Sequence, residues 1–214
     1  MGSKEIKKIC STISTNALRW KLASKEGKII LDSISERLYT NRDDEEDQEE
    51  GDMKNDKRHN FDEETQKKTE SLSDLIQKME EIIKEVEAVE DKSLGLSELC
   101  DMSSSFTSAN KSTANTSVLS SSSSQKSHNS SLISLDSSVV YTRDLVSWAG
   151  TVRECLRAQL RMNQCVARSI CHVSSRDEAM FLTSVWAAQP GLTMEHEAAM
   201  VAVETTLKQC SSPT

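Results

Sequence analysis

A heptad pattern in the middle of the chain constrains the fold more than any other feature of the sequence. From Leu72 to Leu96, apolar residues recur at alternating steps of three and four, and Glu and Lys fill most of the intervening positions. A seam of this kind buries its apolar edge against another helix. The pattern therefore predicts a coiled-coil helix over residues 61–100. The positions that we predict to form its partner-binding face are Leu72, Leu75, Met79, Ile82, Val86 and Val89.

The heptad pattern leaves the partner open. The seam can be completed by a hairpin with residues 3–39 of the same chain, by a second copy of the chain, or by another protein. Residues 1–40 have a helical pattern of their own, with Ile13 and Trp20 near one face and Gly27 in the middle. Glycine is a poor helix former, so Gly27 is a weak point of this helix.

Two segments of biased composition separate the helical patterns. Residues 41–60 contain eight acidic residues and no basic one between Asp43 and Asp52. Like charges at this density predict a solvated linker, although such a run can also dock on a basic ribosomal or histone surface. Residues 101–139 are rich in serine and lack a sustained helical or strand period, which predicts a disordered linker.

The last segment, residues 140–210, has the pattern of a small bundle of three helices. Ser175 lies three residues before Glu178, the spacing of a capping box that begins a helix. Pro190 ends that helix, and Thr193 begins another that continues through about residue 207. Together these patterns predict an all-α fold: an N-terminal long helix plus a coiled-coil helix, a Ser-rich linker, and a C-terminal small helical bundle.

The large apolar residues of the C-terminal block have two interpretations, as core or as a surface on which a partner docks. We expect packing for Trp148, Trp186 and Met180, because these residues lie on the helix faces assigned to the core. The residues that we predict to be partner-binding or core are Trp148, Leu156, Val166, Leu182, Trp186, Gln189 and Pro190.

The same block resembles the cyclin-dependent kinase 2-interacting protein family. That family has an aliphatic helix with Val-Ala, a short turn and an Asp, then Leu-x-Ser-x-Trp-x-x-Gln-Pro and a Leu/Met-rich helix with Glu-Thr. The matching residues here are Val166, Ala167, Asp177, Leu182, Ser184, Trp186, Gln189, Pro190, Met200, Glu204 and Thr205. A weaker likeness covers Ala17, Trp20 and residues 61–99. The family tends to have an aromatic residue after Gln-Pro, where this chain has Gly191.

This resemblance implies a non-catalytic adaptor in the nucleus and cytoplasm. Its implied partners are cyclin-dependent and replication kinases, the ATR-interacting protein, and a complex built on paired AAA+ ATPases. That complex acts on chromatin-bound replisomes and on precursors of the large ribosomal subunit, which links the adaptor to DNA replication, DNA damage and repair, and ribosome biogenesis. The resemblance also implies that the heptad face pairs with a fellow helical adaptor subunit, and that Trp186 to Pro190 shape a surface recognised within the complex.

Composition and motifs favour protein partners over other ligands. Residues 1–100 have 17 Lys and Arg against 25 Asp and Glu, a difference equal to the whole net charge of −8. Because nucleic-acid binding depends on clustered Lys and Arg side chains, we expect no direct nucleic-acid binding. No apolar run approaches the roughly 20 residues of a membrane-spanning helix, so we expect a soluble protein.

We expect no catalytic, cofactor or metal site. The six glycines are scattered singly, without the Gly-rich turn that holds phosphates. The six cysteines form no Cys-x-x-Cys pair, and the four histidines fall in linkers and at helix ends. A coiled-coil tethering or cytoskeletal scaffold protein is the main alternative to the adaptor. A kinase substrate or inhibitor that acts through its serines is a third class.

Overall fold

The structure is a computed structural model. It describes the backbone of residues 3–43, 54–109, 132–135, 138–173 and 175–211, and the side chains of residues 4–38, 63–99, 142–173 and 175–211. The helices are α1 (Ser3–Asp43), α2 (Lys54–Ala109), α3 (Thr142–Ser169), α4 (Arg176–Ala188) and α5 (Met194–Gln209), with a 3-10 turn at Ile170–His172. The described chain is helical apart from one short hairpin, so the predicted all-α class is confirmed.

The hairpin lies directly before α3. Its strands, β1 (Leu132–Leu135) and β2 (Ser138–Tyr141), pair antiparallel with Ile133 opposite Val140. Residues 132–135 and 138–139 lie in the segment that is predicted to be a disordered linker. The prediction is wrong there, because aliphatic and β-branched residues on both sides of a two-residue gap favour local strand pairing.

The helices also extend past the predicted linker boundaries. α1 continues to Asp43 and α2 begins at Lys54, so both ends of the predicted acidic linker are helical. At its other end α2 continues to Ala109, into the predicted Ser-rich linker. The remaining parts of the two linkers, residues 44–53, 110–131 and 136–137, lie outside the described residues.

Ion pairs and a polar contact between helices define the packing of α1, α2 and α3. Between α1 and α2, Glu5 pairs with Lys92 at 2.8 Å and Arg19 pairs with Glu85 at 2.5 Å. Between α2 and α3, Arg153 pairs with Glu90 at 3.0 Å and the Gln164 amide donates to Glu80 at 2.9 Å. Residue numbers rise on one helix as they fall on the other, so α1 and α3 both run antiparallel to α2.

The heptad face of α2 is buried inside the chain. Its six predicted positions are at most 9% exposed, and α2 packs against both α1 and α3. Helices of the same chain therefore cover these six positions in the folded chain, and the binding of another protein at this face stays a prediction. The hairpin alternative is correct in part, since α1 does lie on α2. α3 completes the seam because Leu145, Val152, Leu156 and Val166 give it an apolar face of matching period.

The helices share one hydrophobic core. α4 and α5 each pack on α1 and on α3, and a single cluster of buried residues includes side chains from α1, α2, α3, α4 and α5. The C-terminal helices therefore pack on α1 and α2 and do not form a bundle with a separate core. Three short apolar faces in about 70 residues bury too little surface alone, and α1 and α2 supply the missing area.

Candidate functional site

The Trp-x-x-Gln-Pro segment ends α4 in an unusual backbone conformation. Ser175 caps the start of α4, its side-chain oxygen accepting from the Glu178 backbone N at 3.2 Å, as the capping box predicts. At the other end Gln189 has φ 47° and ψ 56°, and it is the only described residue other than glycine with a positive φ. An L-residue in this region costs about 1–2 kcal/mol, so the surrounding contacts must hold it there.

Trp186 anchors this segment to the middle of α1. Its side chain is fully buried, and its indole Nε1 donates to the carbonyl oxygen of Ser24 at 2.9 Å. The ring lies directly over Gly27, where a Cβ would come within 2.6 Å of the ring atom Cε2. Gly27 is therefore not simply a weak point of α1, because its missing side chain makes room for the indole.

Two side-chain amides fix the turn after α4. The indole Nε1 of Trp20 in α1 donates to Oε1 of Gln189 at 3.1 Å. From α3, Oε1 of the fully buried Gln159 accepts from the backbone N of Gly191 at 2.8 Å. Gln159 also donates from Nε2 to Oδ1 of Asn163 at 2.7 Å. These bonds tie the turn to α1 and α3 at the same point.

Gly191 is required by this geometry. A Cβ at that position would lie 2.5 Å from the backbone N of Gln159 and 2.7 Å from its Cα. A larger side chain at position 191 would therefore not fit against α3.

Ser24, Gly27, Gln159 and Asn163 were not among the predicted site residues. The available signal was the pair Gln159 and Asn163, two amides four residues apart on an otherwise apolar face of α3. Buried amides require hydrogen-bond partners, so this pair indicated a polar contact. Nothing in the sequence indicated that the partner would be the turn at Gly191.

Most of the predicted site residues in the C-terminal block are buried or partly buried in the core. Leu156, Val166 and Trp186 are buried, and Trp148, Leu182 and Gln189 are partly buried, whereas Pro190 is exposed. Met180, which we expected in the core, is wrongly assigned: it and Phe181 are both more than half exposed. On α4 the face toward α1 holds Ala179, Thr183 and Trp186, which turns Met180 and Phe181 outward.

The exposed side of α4 forms an apolar surface beside the end of α3. We refer to Val173, Met180, Phe181 and Leu182 together as the α4 surface. Val173, Phe181 and Leu182 border a depression of about 340 Å³, which Arg168 and Glu178 also line. An exposed aromatic side chain on a helix that is fixed from behind is typical of a protein-binding site.

A second depression lies between α1 and α5. This α1–α5 groove has a volume of about 640 Å³, and its lining includes Leu18, Trp20, Leu192, His196 and Met200. Burial lowers the pKa of His196 below its ordinary value of 6.5, and neighbouring Glu197 partly offsets that shift. Among the described residues, none provides a hydrogen-bond partner for His196 Nε2. Burial and the lowered pKa favour the neutral imidazole in the wall of this groove.

Within the described ranges, no group of three or more His, Cys, Asp and Glu side chains is placed to hold a metal ion. Chiefly through burial, with Cys210 adding to the effect, the pKa of the Cys10 thiol rises to about 12. Such a thiol is a poor nucleophile because little thiolate forms. None of the described helices is both long and apolar enough to cross a membrane.

Comparisons with known proteins leave the family open. No protein-family model matches the chain, and no curated protein matches it at a significant level.

Proposed function

We propose that this chain is a non-catalytic adaptor subunit that docks other proteins on the α4 surface. The observation that carries the proposal is the contrast between the two sides of α4. One side is fixed to α1 by the buried Trp186, and the other presents Met180 and Phe181 to solvent. Exposed apolar groups held on a rigid helix lose little entropy on binding, which favours their use as an interaction site.

The resemblance to the cyclin-dependent kinase 2-interacting protein family supplies the proposed partners. These are paired AAA+ ATPases, a fellow helical adaptor subunit, cyclin-dependent and replication kinases, and the ATR-interacting protein. In this proposal the ATPases provide the energy for remodelling replisomes and large ribosomal subunit precursors in the nucleus and cytoplasm. The adaptor positions the partners for docking. Its role in DNA replication, genome maintenance and ribosome maturation follows from its place in this assembly.

The burial of the heptad face bears on the choice between adaptor and tether. A coiled-coil tether or cytoskeletal scaffold would need the seam of α2 free to pair with another chain. Here the seam lies against α1 and α3. The α4 surface, which is free within the described part of the chain, is therefore the better candidate for partner binding.

Affinity purification of the tagged full chain from its own cells, followed by mass spectrometry, tests the adaptor proposal. We expect the intact protein to recover a pair of AAA+ ATPases. The double variant Met180→Asp/Phe181→Asp should lose them, because two buried carboxylates would have no partner in an apolar interface. Leu94→Asp is the matched control, since Leu94 is an exposed apolar residue on α2, and it should recover the ATPases like the intact chain.

Folding of the double variant must be checked beside the purification. The far-UV circular dichroism spectrum and the thermal midpoint should match those of the intact protein, because both substituted residues are exposed. Recovery of cytoskeletal or membrane-traffic proteins in place of the ATPases would contradict the adaptor proposal. Equal ATPase recovery by the double variant would contradict the assignment of the α4 surface.

A further inference from the structure

α1 has a second apolar face, opposite the one that joins the core. Leu18, Leu22 and Ile29 are 58%, 57% and 69% exposed, and their spacing of four and seven residues places them in one row along the helix. Lys25 lies in the same row, seven residues after Leu18. Three large aliphatic side chains in a row on a solvent-facing helix are typical of a helix that packs against another helix.

The Leu18 end of this row reaches the α1–α5 groove. Leu18 and Lys21 contribute to the α1 wall of the groove, and Glu197, Met200 and Glu204 contribute to the α5 wall. Glu197 and Glu204 are seven residues apart, so they lie on the same side of α5 about 10.5 Å from each other. The surface therefore combines an apolar row on α1, lysines in and beside that row, and glutamates on the facing side of α5.

None of the described side chains forms an ion pair with these lysines and glutamates. Within the described part of the chain, Lys21, Lys25, Glu197 and Glu204 make no salt bridge, whereas Lys28 pairs with Asp32 at 2.6 Å. Two lysines on α1 and two glutamates on α5, together with the apolar row, form a self-complementary surface. A two-fold interface requires this property. If a lysine of the first copy contacts a glutamate of the second, the same glutamate of the first copy contacts the same lysine of the second.

We propose that this surface binds a second copy of the chain. The outward faces of the two α1 helices pack antiparallel about a two-fold axis, with Leu22 near the centre. Lys21 and Lys25 of each copy then reach Glu197 and Glu204 on α5 of the other copy. Apolar contact supplies most of the affinity, and the two sets of charge pairs fix the orientation.

The chain's own remaining segments fit this surface poorly. Residues 44–53 contain seven acidic residues and no basic one, so Glu197 and Glu204 would repel them. Ten of the 22 residues in the range 110–131 are serine, and the range has no row of large apolar residues at helical spacing. A second copy offers both an apolar stripe and the matching bases, which makes it the occupant that the observations favour.

Sedimentation velocity of the purified full chain over a concentration series tests the proposal. We expect a reversible monomer–dimer equilibrium. Leu22→Asp should shift it to monomer, because a carboxylate would be buried at the centre of the interface. Leu94→Asp, on α2, is the matched control and should leave the equilibrium unchanged. A chain that stays monomeric at every concentration would overturn the proposal.

Charge reversal provides a sharper test. Lys21→Glu/Lys25→Glu should weaken the dimer about tenfold or more, and Glu197→Lys/Glu204→Lys should do the same, since each places like charges together in both halves. Mixing the two variants should restore association, because every contact in the mixed dimer joins opposite charges. Failure of the mixture to associate, while circular dichroism shows both variants folded, would overturn the proposed contacts.

Self-association and the adaptor function can fail separately. The α4 surface is distinct from the α1 row, so a monomeric Leu22→Asp variant can be tested for ATPase recovery. ATPases recovered by an intact chain that never dimerises would overturn self-association alone. A dimer that recovers no ATPase would overturn the adaptor proposal alone.

Discussion

Gly27 and Gly95 both lie inside long helices, yet the space around them differs. A Cβ at Gly27 would strike the ring of Trp186, whereas a Cβ at Gly95 would meet nothing within 4 Å. Sequence alone treats the two glycines alike, because intrinsic helix propensity assigns both the same cost. Only the position of the indole, which comes from a residue more than 150 positions away along the chain, separates them. A single sequence does not reveal such a contact.

The pair of glycines gives the first prediction. Gly95→Ala should stabilise the protein by about 0.5–1 kcal/mol through helix propensity. Gly27→Ala should instead destabilise it, because overpacking in a core costs about 1–3 kcal/mol, which exceeds the gain in propensity. Urea unfolding measures both free energies. A Gly27→Ala variant as stable as Gly95→Ala would contradict the placement of Trp186 over Gly27.

His196 gives a prediction about pH. Its pKa is lowered in the folded protein by burial, against 6.5 for the ordinary group. As pH falls below about 6.5, the unfolded chain takes up a proton more readily than the folded chain. This contribution to the free energy of unfolding is therefore fully present above that pH and is lost as the pH falls. The direction follows from a histidine that folds in its neutral form.

Urea unfolding measured on both sides of pH 6.5 checks the His196 prediction. Stability should decrease toward acid, and His196→Gln should reduce the slope because glutamine does not titrate in this range. His172→Gln, at an exposed position, provides the comparison for replacing a histidine. An unchanged slope in His196→Gln would show that another group causes the pH dependence.

At the scale of elements, local signals in the sequence predict where helices begin and end better than they predict which helices pack together. The capping box at Ser175 and the proline at 190 bracket α4 within a few residues, because caps and breakers act on their immediate neighbours. The heptad pattern gave the helix and its buried face, but an apolar seam does not encode which helix covers it. The periodic face of α3 was equally visible, and its pairing with α2 depends on long-range packing.

Leu75 tests the internal role of the heptad seam. It is almost completely buried between helices of the same chain, so Leu75→Ala should cost about 2–5 kcal/mol in the purified protein without any partner. Leu94→Ala, at an exposed position on the same helix, should change stability by at most about 0.5 kcal/mol. Chemical unfolding measures both variants. Equal stability of the two would mean that the seam is free for a partner after all.

At the scale of the whole molecule, residues from both ends of the sequence form one core. Trp20 in α1, Trp148 in α3 and Trp186 in α4 all belong to it or pack against it. Composition predicted a helical chain with a Ser-rich linker before the C-terminal bundle, and a linker rich in serine is typical of a boundary between domains. The packing of α4 and α5 on α1 removes that boundary.

A shared core predicts cooperative unfolding. Tryptophan fluorescence reports on α1, α3 and α4, and far-UV circular dichroism is dominated by the long helices α1 and α2. The two signals should change at the same urea concentration, as in a two-state transition. A dichroism transition separate from the fluorescence transition would indicate that α1 and α2 fold apart from the C-terminal helices.

The account depends most on the opposite roles of the two sides of α4, and one comparison tests them directly. The free energy of unfolding is measured for Trp186→Ala and Phe181→Ala in the purified full chain. Trp186→Ala should lose about 3–5 kcal/mol, because a fully buried indole and its hydrogen bond to Ser24 are removed. Phe181→Ala should stay within about 0.5 kcal/mol of the intact protein. Unchanged stability in Trp186→Ala, or a large loss in Phe181→Ala, would contradict the assignment of Trp186 to the core and of Phe181 to the docking surface.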